Sequence, residues 1–239
     1  MTEAIFDKRI RELTQEMIPE GLQGGKMKKY TLLIIALGFL IASPAYADLF
    51  GFTNITNNSA ADAAIGEAQL FVDVTDPGGN QVLFTFSNTG PADSSIADVY
   101  FDDFGLLDNI NTITGSGPGV SFSEGATPGN LPGGNPISFS ADFSADSDSP
   151  AQPNGVNPGE LLGIKFNLSS GNTFDAVIAS LMNPGLRIGI HVQGFASGGS
   201  ESFVNNTNPV PEPATMLLLG SGLIGLAGFG RKKFLKKKS

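Results

Sequence analysis

The side chains able to do chemistry are few and mostly acidic. Asp142, Asp146 and Asp148 lie in the run Asp-Phe-Ser-Ala-Asp-Ser-Asp-Ser-Pro. Oxygen-rich loops of this kind can hold Ca²⁺, but the run lacks the Gly and the bidentate Glu of an EF-hand. Asp98, Asp102 and Asp103 form a second acidic group. The competing reading of both is a solvated acidic surface that keeps a chain soluble. Calcium is the only cofactor these residues suggest.

His191 is the sole histidine. A general base needs a nucleophile and an orienting group. No Gly-x-Ser-x-Gly elbow is present, and His191 alternates with Ile190 and Val192. It reads as an exposed strand residue beside Arg187. The run Ser197-Gly198-Gly199-Ser200-Glu201-Ser202 reads as a turn, because no strand-then-helix context makes it a phosphate cradle. The chain has no Cys, which excludes disulfides, thiol catalysis and Cys-based zinc sites. Paired carboxylates for glycoside hydrolysis stay open, since their spacing is spatial. With no Trp and three Tyr, stacking on sugar rings is poorly supplied. A non-enzymatic protein is expected.

The charge is segregated. The 239 residues carry a net −9. Six cations lie in residues 1–29 and six in the last nine, leaving only Lys165 and Arg187 between. Residues 48–210 hold 17 acidic residues against those two cations, a net of −15. An acidic body of this kind is not a nucleic-acid binder. Each basic end flanks an apolar run.

Residues 27–47 read as a signal peptide. Lys28-Lys29 precedes an apolar core from Leu32 to Ile41, and Ala45-Tyr46-Ala47 offers small residues where signal peptidase reads. A transmembrane helix would need about 18 or more apolar residues. Asp48 would then begin the mature chain. Residues 1–26 read as a start assigned too early, with a cytoplasmic extension as the alternative. Gln23-Gly24-Gly25-Lys26 can be encoded by a purine-rich ribosome-binding run just before Met27. A pyrimidine-rich gene sequence there would sink that idea.

At the other end stand Val210-Pro211-Glu212-Pro213, an apolar run over 214–229, and a cluster beginning Arg231-Lys232-Lys233. The 16-residue run spans ~24 Å as a helix, short for a ~30 Å hydrocarbon core, so flanking residues must snorkel or the bilayer must thin. No charge interrupts it, and the cation cluster would stay cytoplasmic by the positive-inside rule. Pro211 and Pro213 keep the intervening chain extended at the membrane face.

This three-part order resembles the PEP-CTERM sorting signal. Pro211, Glu212 and Pro213 match its motif, 214–229 its apolar helix, and Arg231, Lys232 and Lys233 the start of its basic tail. The resemblance covers about the last 30 residues. It implies that a membrane exosortase cleaves near the motif, after a transient inner-membrane stay, and passes the body to the cell surface or outside. It further implies bacteria that secrete exopolysaccharide and form biofilm or floc. A plain tail anchor with a Pro-rich stalk is the alternative.

The body must then be an exported domain. Period-two patterns at 69–74, 81–87, 137–143, 162–168 and 186–192 predict half-buried antiparallel strands. Asp76-Pro77-Gly78-Gly79-Asn80, Asn88-Thr89-Gly90-Pro91 and Asn183-Pro184-Gly185 mark turns. Thr173 followed by Phe174, Val177, Ile178 and Leu181 predicts one short capped helix. Residues 115–136, rich in Gly, Pro, Ser and Asn, read as a long exposed loop. The expected fold is mostly β: an antiparallel β-sandwich, jelly-roll-like, with one short helix, a signal helix in front and a C-terminal transmembrane helix. The domains expected are 1–26, the signal peptide 27–47, the acidic domain 48–205 and the sorting signal 206–239. The expected partners are signal peptidase, exosortase, the membrane and exopolysaccharide. The function expected is a surface or matrix protein, with a polysaccharide- or calcium-binding module as the alternative.

Overall fold

The computed structural model describes residues 48–210 apart from Pro118 and Pro184. The expected signal helix and C-terminal transmembrane helix lie outside these residues. Among the described residues, no helix is long and apolar enough to cross a membrane.

Ten strands follow in order: β1 (Asp48–Asn54), β2 (Leu70–Thr75), β3 (Gln81–Asn88), β4 (Ser95–Asp103), β5 (Leu107–Gly115), β6 (Phe122–Glu124), β7 (Phe143–Ser147), β8 (Leu161–Leu168), β9 (Leu186–Gln193) and β10 (Glu201–Asn205). Helix α1 (Ala60–Gln69) joins β1 to β2, the single turn α2 (Ala151–Asn154) follows β7, and α3 (Phe174–Met182) precedes β9.

All strand pairs are antiparallel, in the order β5-β8-β3-β2-β1-β10-β9-β4-β7-β6. The end strands β5 and β6 approach one another, so the sheet is nearly closed. The mostly β, antiparallel expectation holds. The two separate sheets of a jelly roll do not form, because β1 serves both halves. Asp48 to Gly51 pair with β2, and Phe52 to Asn54 pair with β10.

The best alternation gives the most regular strands. In β3, Val82, Phe84 and Phe86 point inward while their neighbours are half exposed. They oppose Phe166, Ile164 and Leu162 of β8. Across the interior, Phe101 of β4 packs 5.1 Å from Phe84 and 4.8 Å from Phe166, and Phe143 of β7 packs 5.3 Å from Phe166. Tilted and edge-on rings at these separations add to simple area burial. The two halves of the sheet thus close on one phenylalanine core.

The helix at Thr173 forms as its sequence predicts. The Thr173 hydroxyl accepts the Ala176 amide at 3.3 Å, and Val177 and Leu181 are buried. A single helix is nevertheless an undercount. Helix α1 starts at Ser59, whose hydroxyl accepts the Asp62 amide. Its Gly66 lies so close to Phe203 that a Cβ there would sit 2.1 Å from the ring. The helix docks on β10 through a missing side chain, which no apolar periodicity announces.

One strand expectation and one loop expectation also fail. The alternation at 137–143 is not one strand. Asn135–Ile137 form a 3₁₀ turn, Ser138 takes a left-handed φ of 53°, and β7 begins only at Phe143. Nor is 115–136 an exposed loop throughout. It contains β6, and Val120 and Leu131 are buried. Residues 125–142 fold back over the outer face of β9-β4-β7. There Leu131 and Phe139 pack with Tyr100 in a second, smaller core. This cover explains why β4 is buried on both faces along almost its whole length.

Candidate functional site

The outer face of β4 carries Asp98, Tyr100 and Asp102, opposite the inward Val99 and Phe101. Strand register places Ser202, His191, Asp98, Asp146 and Ser123 in one row across β10, β9, β4, β7 and β6. His191 Nδ1 lies 2.9 Å from Asp98 Oδ2. His191 is therefore partly buried and paired, not an exposed residue beside Arg187.

Asp146 hydrogen-bonds Asp98 on the other side. Burial, the bond to Asp98 and the Asp98 charge push its carboxyl up to about 6, against a pull from the Thr127 backbone. Placed beside another carboxylate under a cover, the Asp146 carboxyl keeps its proton to higher pH than an exposed aspartate does. Burial and the Asp98 and Asp146 charges likewise raise the Tyr100 phenol, which donates to Pro128 O at 3.0 Å.

One step along the sheet, Arg187 pairs with Asp102 and donates to Ile137 O at 2.8 Å and Ser138 O at 2.7 Å. Its guanidinium also lies 5.3 Å from the Phe139 ring centroid. Asp102 accepts the Ser140 amide at 3.2 Å. Gly189 between these rows leaves room for the cover, since a Cβ there would stand 2.7 Å from Leu131. The polar side chains of this face hold residues 125–142 in place.

The calcium candidates go separate ways. Asp142 accepts the Asp103 amide at 2.8 Å, and Asp146 faces Asp98. Asp148 accepts from Ser121 and Ser123, which lower its pKa. Asp103 in turn accepts the amides of Gly105, Leu106 and Leu107. Among the described residues, no group of three His, Cys, Asp or Glu could hold a metal ion.

Residues 197–202 do form a turn, running into β10, and Ser197 donates to Asp62 at 2.6 Å. Glu201 within it carries no sequence signal that sets it apart from a turn residue. The residue is 1% exposed, and its carboxylate accepts from Asn54 Nδ2 at 3.0 Å, the Asn58 and Ser59 amides at 3.1 and 2.6 Å, and the Thr56 hydroxyl. Burial alone would raise its pKa; these donors together hold it below the usual range. Glu201 staples the entry of α1 to β10.

Asp48 and Val210, the described residues next to the two expected processing sites, both lie along β1. Of the expected signal-peptidase site, Ala45 and Ala47 lie outside the described residues, and Asp48 is the first residue of β1. Past β10 the chain continues along β1 in the same direction, toward Asp48. The Asn206 amide donates to Gly51 O at 2.8 Å and the Val210 amide to Leu49 O at 2.6 Å, and the Thr53 hydroxyl donates to Asn206 Oδ1. The first half of β1 is thus bonded along both edges. The next residue in the sequence is Pro211. Pro211, Glu212, Pro213, Arg231, Lys232 and Lys233 lie outside the described residues.

No curated protein and no solved structure matches the chain. Residues 209–232 match the PEP-CTERM protein-sorting motif. The match takes in Pro211-Glu212-Pro213, the apolar run, and Arg231 and Lys232, and ends one residue before Lys233. In order and in extent, the chain carries a PEP-CTERM sorting signal, the mark of an exosortase substrate.

Proposed function

We propose that this is an exported, non-enzymatic surface or extracellular-matrix protein. Signal peptidase removes residues up to Ala47, the C-terminal helix holds the chain in the inner membrane for a time, and an exosortase then processes it near Pro211-Glu212-Pro213. The processed body resides at the cell surface or outside, in the exopolysaccharide of a biofilm. The carrying observation is the sorting motif over 209–232. The body supports a structural role, because its sole His and its buried carboxylates are spent on internal bonds. Replacing Glu212 with Ala in the host tests this reading. The variant is expected to stay in the membrane fraction at precursor mass, while the wild type leaves it. Equal release of both would sink it.

One observation favours a second reading, a polysaccharide-binding module. On β3, β8 and β5 the amides of Gln81, Asn167 and Asn109 form a ladder, with bonds of 2.9 and 3.1 Å. Such a half-exposed amide row can exchange hydrogen bonds with sugar hydroxyls. Retention of the body on exopolysaccharide, lost in Asn167→Ala, would favour this reading. Free passage through the same matrix would remove it.

A further inference from the structure

The contact between β1 and residues 206–210 has a consequence for processing, resting on the exosortase reading above. A protease acts on an extended chain, and it reaches a docked segment through transient local opening. When opening is fast, cleavage follows the equilibrium population of the open form. The Val210 amide is bonded to Leu49 O and the Asn206 amide to Gly51 O. From Val210 to Ala214, where the apolar run begins, four residues reach at most ~14 Å. With the strap docked, the motif therefore follows directly on Val210, a residue bonded to the folded body.

We propose that residues 206–210 act as a strap whose docking on β1 restrains exosortase cleavage, and that the strap must leave β1 before the motif can be taken. The dock is completed by residues distant in sequence from the motif. The Thr53 hydroxyl holds Asn206. Gly51 keeps the strap close: a Cβ there would lie 3.2 Å from Asn206 Nδ2 and 3.8 Å from Val210 Cγ2. Because β1 opens at Asp48, the same strand starts at one processing site and holds the chain entering the other.

The test is pulse-chase maturation of the full-length chain in its host. Thr53→Ala removes one strap bond and leaves the motif intact. Losing one such bond should raise the open population, and the maturation rate with it, about twofold to tenfold. Gly51→Val should do the same by displacing the strap. A six-residue Gly/Ser spacer between Val210 and Pro211 should mature faster than wild type, at least as fast as Thr53→Ala, and no longer respond to Thr53→Ala. The spacer result does not depend on how well either β1 variant folds. Wild-type rates in Thr53→Ala, with faster amide exchange at Val210, would overturn the proposal. A spacer variant that matures no faster than wild type would overturn it as well. Glu212→Ala serves as the separate control. If it matures like wild type, the exosortase reading itself fails, whatever the strap variants do.

Discussion

The two faces of β4 are held by different physics. Inward, Val99 and Phe101 join a core of phenylalanines, with Phe101 in ring contact with Phe84, Phe86 and Phe166. Outward, Asp98, Tyr100 and Asp102 hold a cover through His191, Asp146, Arg187 and the backbone of residues 127–140. The inner face depends on area and shape, and carries no charge to titrate. The outer face depends on a few charged and polar bonds, so it should answer to pH and loosen first. A single strand thus separates the part that makes the body fold from the part that pins its longest irregular segment.

Breaking the inner face should cost most. Phe101→Ala removes a fully buried ring with three aromatic neighbours, and chemical denaturation should show a loss of roughly 3–5 kcal/mol. Its pH profile should keep the wild-type shape. Next comes Gly189→Val, which drives side-chain atoms into Leu131 and Phe139. It should cost about 1–3 kcal/mol and admit limited proteolysis within 125–142 while the inner core stays protected. If cleavage instead spreads through all strands, the cover is no separate unit.

The smallest effect should be the most specific. The Asp146 carboxyl is pushed up to about 6, so the folded state holds a proton that the unfolded chain releases at lower pH. Its contribution is full below the unfolded value and is lost as pH rises through about 6. Asp146→Asn should therefore flatten the fall in stability between about pH 4 and 6. Above that window it should exceed wild type by no more than about 1 kcal/mol, because solvent screens a side chain only partly buried. Glu201 has the opposite sign. Its donors hold it low, so its contribution is present above the unfolded value and lost as pH falls through the depressed one. Adding Ca²⁺ should leave the melting temperature unchanged, since Asp142, Asp146 and Asp148 are engaged with different neighbours.

The same contrast decides what the sequence disclosed. Strands β3, β8 and β9 bury chiefly one face, and their alternation marked them. Strand β4 is buried on both faces, so Ser-Ile-Ala-Asp-Val-Tyr-Phe-Asp-Asp has no period to follow. Edge strand β5, Leu-Asp-Asn-Ile-Asn-Thr-Ile-Thr-Gly, is mostly exposed and polar, and carries no alternation of apolar residues. The alternation of Ile137, Phe139, Ala141 and Phe143 was real but misleading. Phe139 belongs to the outer cluster and Phe143 packs on the inner core, with a turn and a bend between them. His191 was placed correctly off the core face. Its partners could not be foreseen, because the row from Ser202 to Ser123 is assembled from five strands. The sorting signal is the reverse case. Its information is local and ordered along the chain, so it was legible without any fold.

The most direct measurement is the intact mass of the protein recovered outside the cell. A body running from Asp48 to near Pro211 is expected, showing that both ends are processed and that residues 1–47 are absent. A recovered chain that still carries Arg231 and the lysines behind it would contradict the account and leave an ordinary membrane-anchored protein.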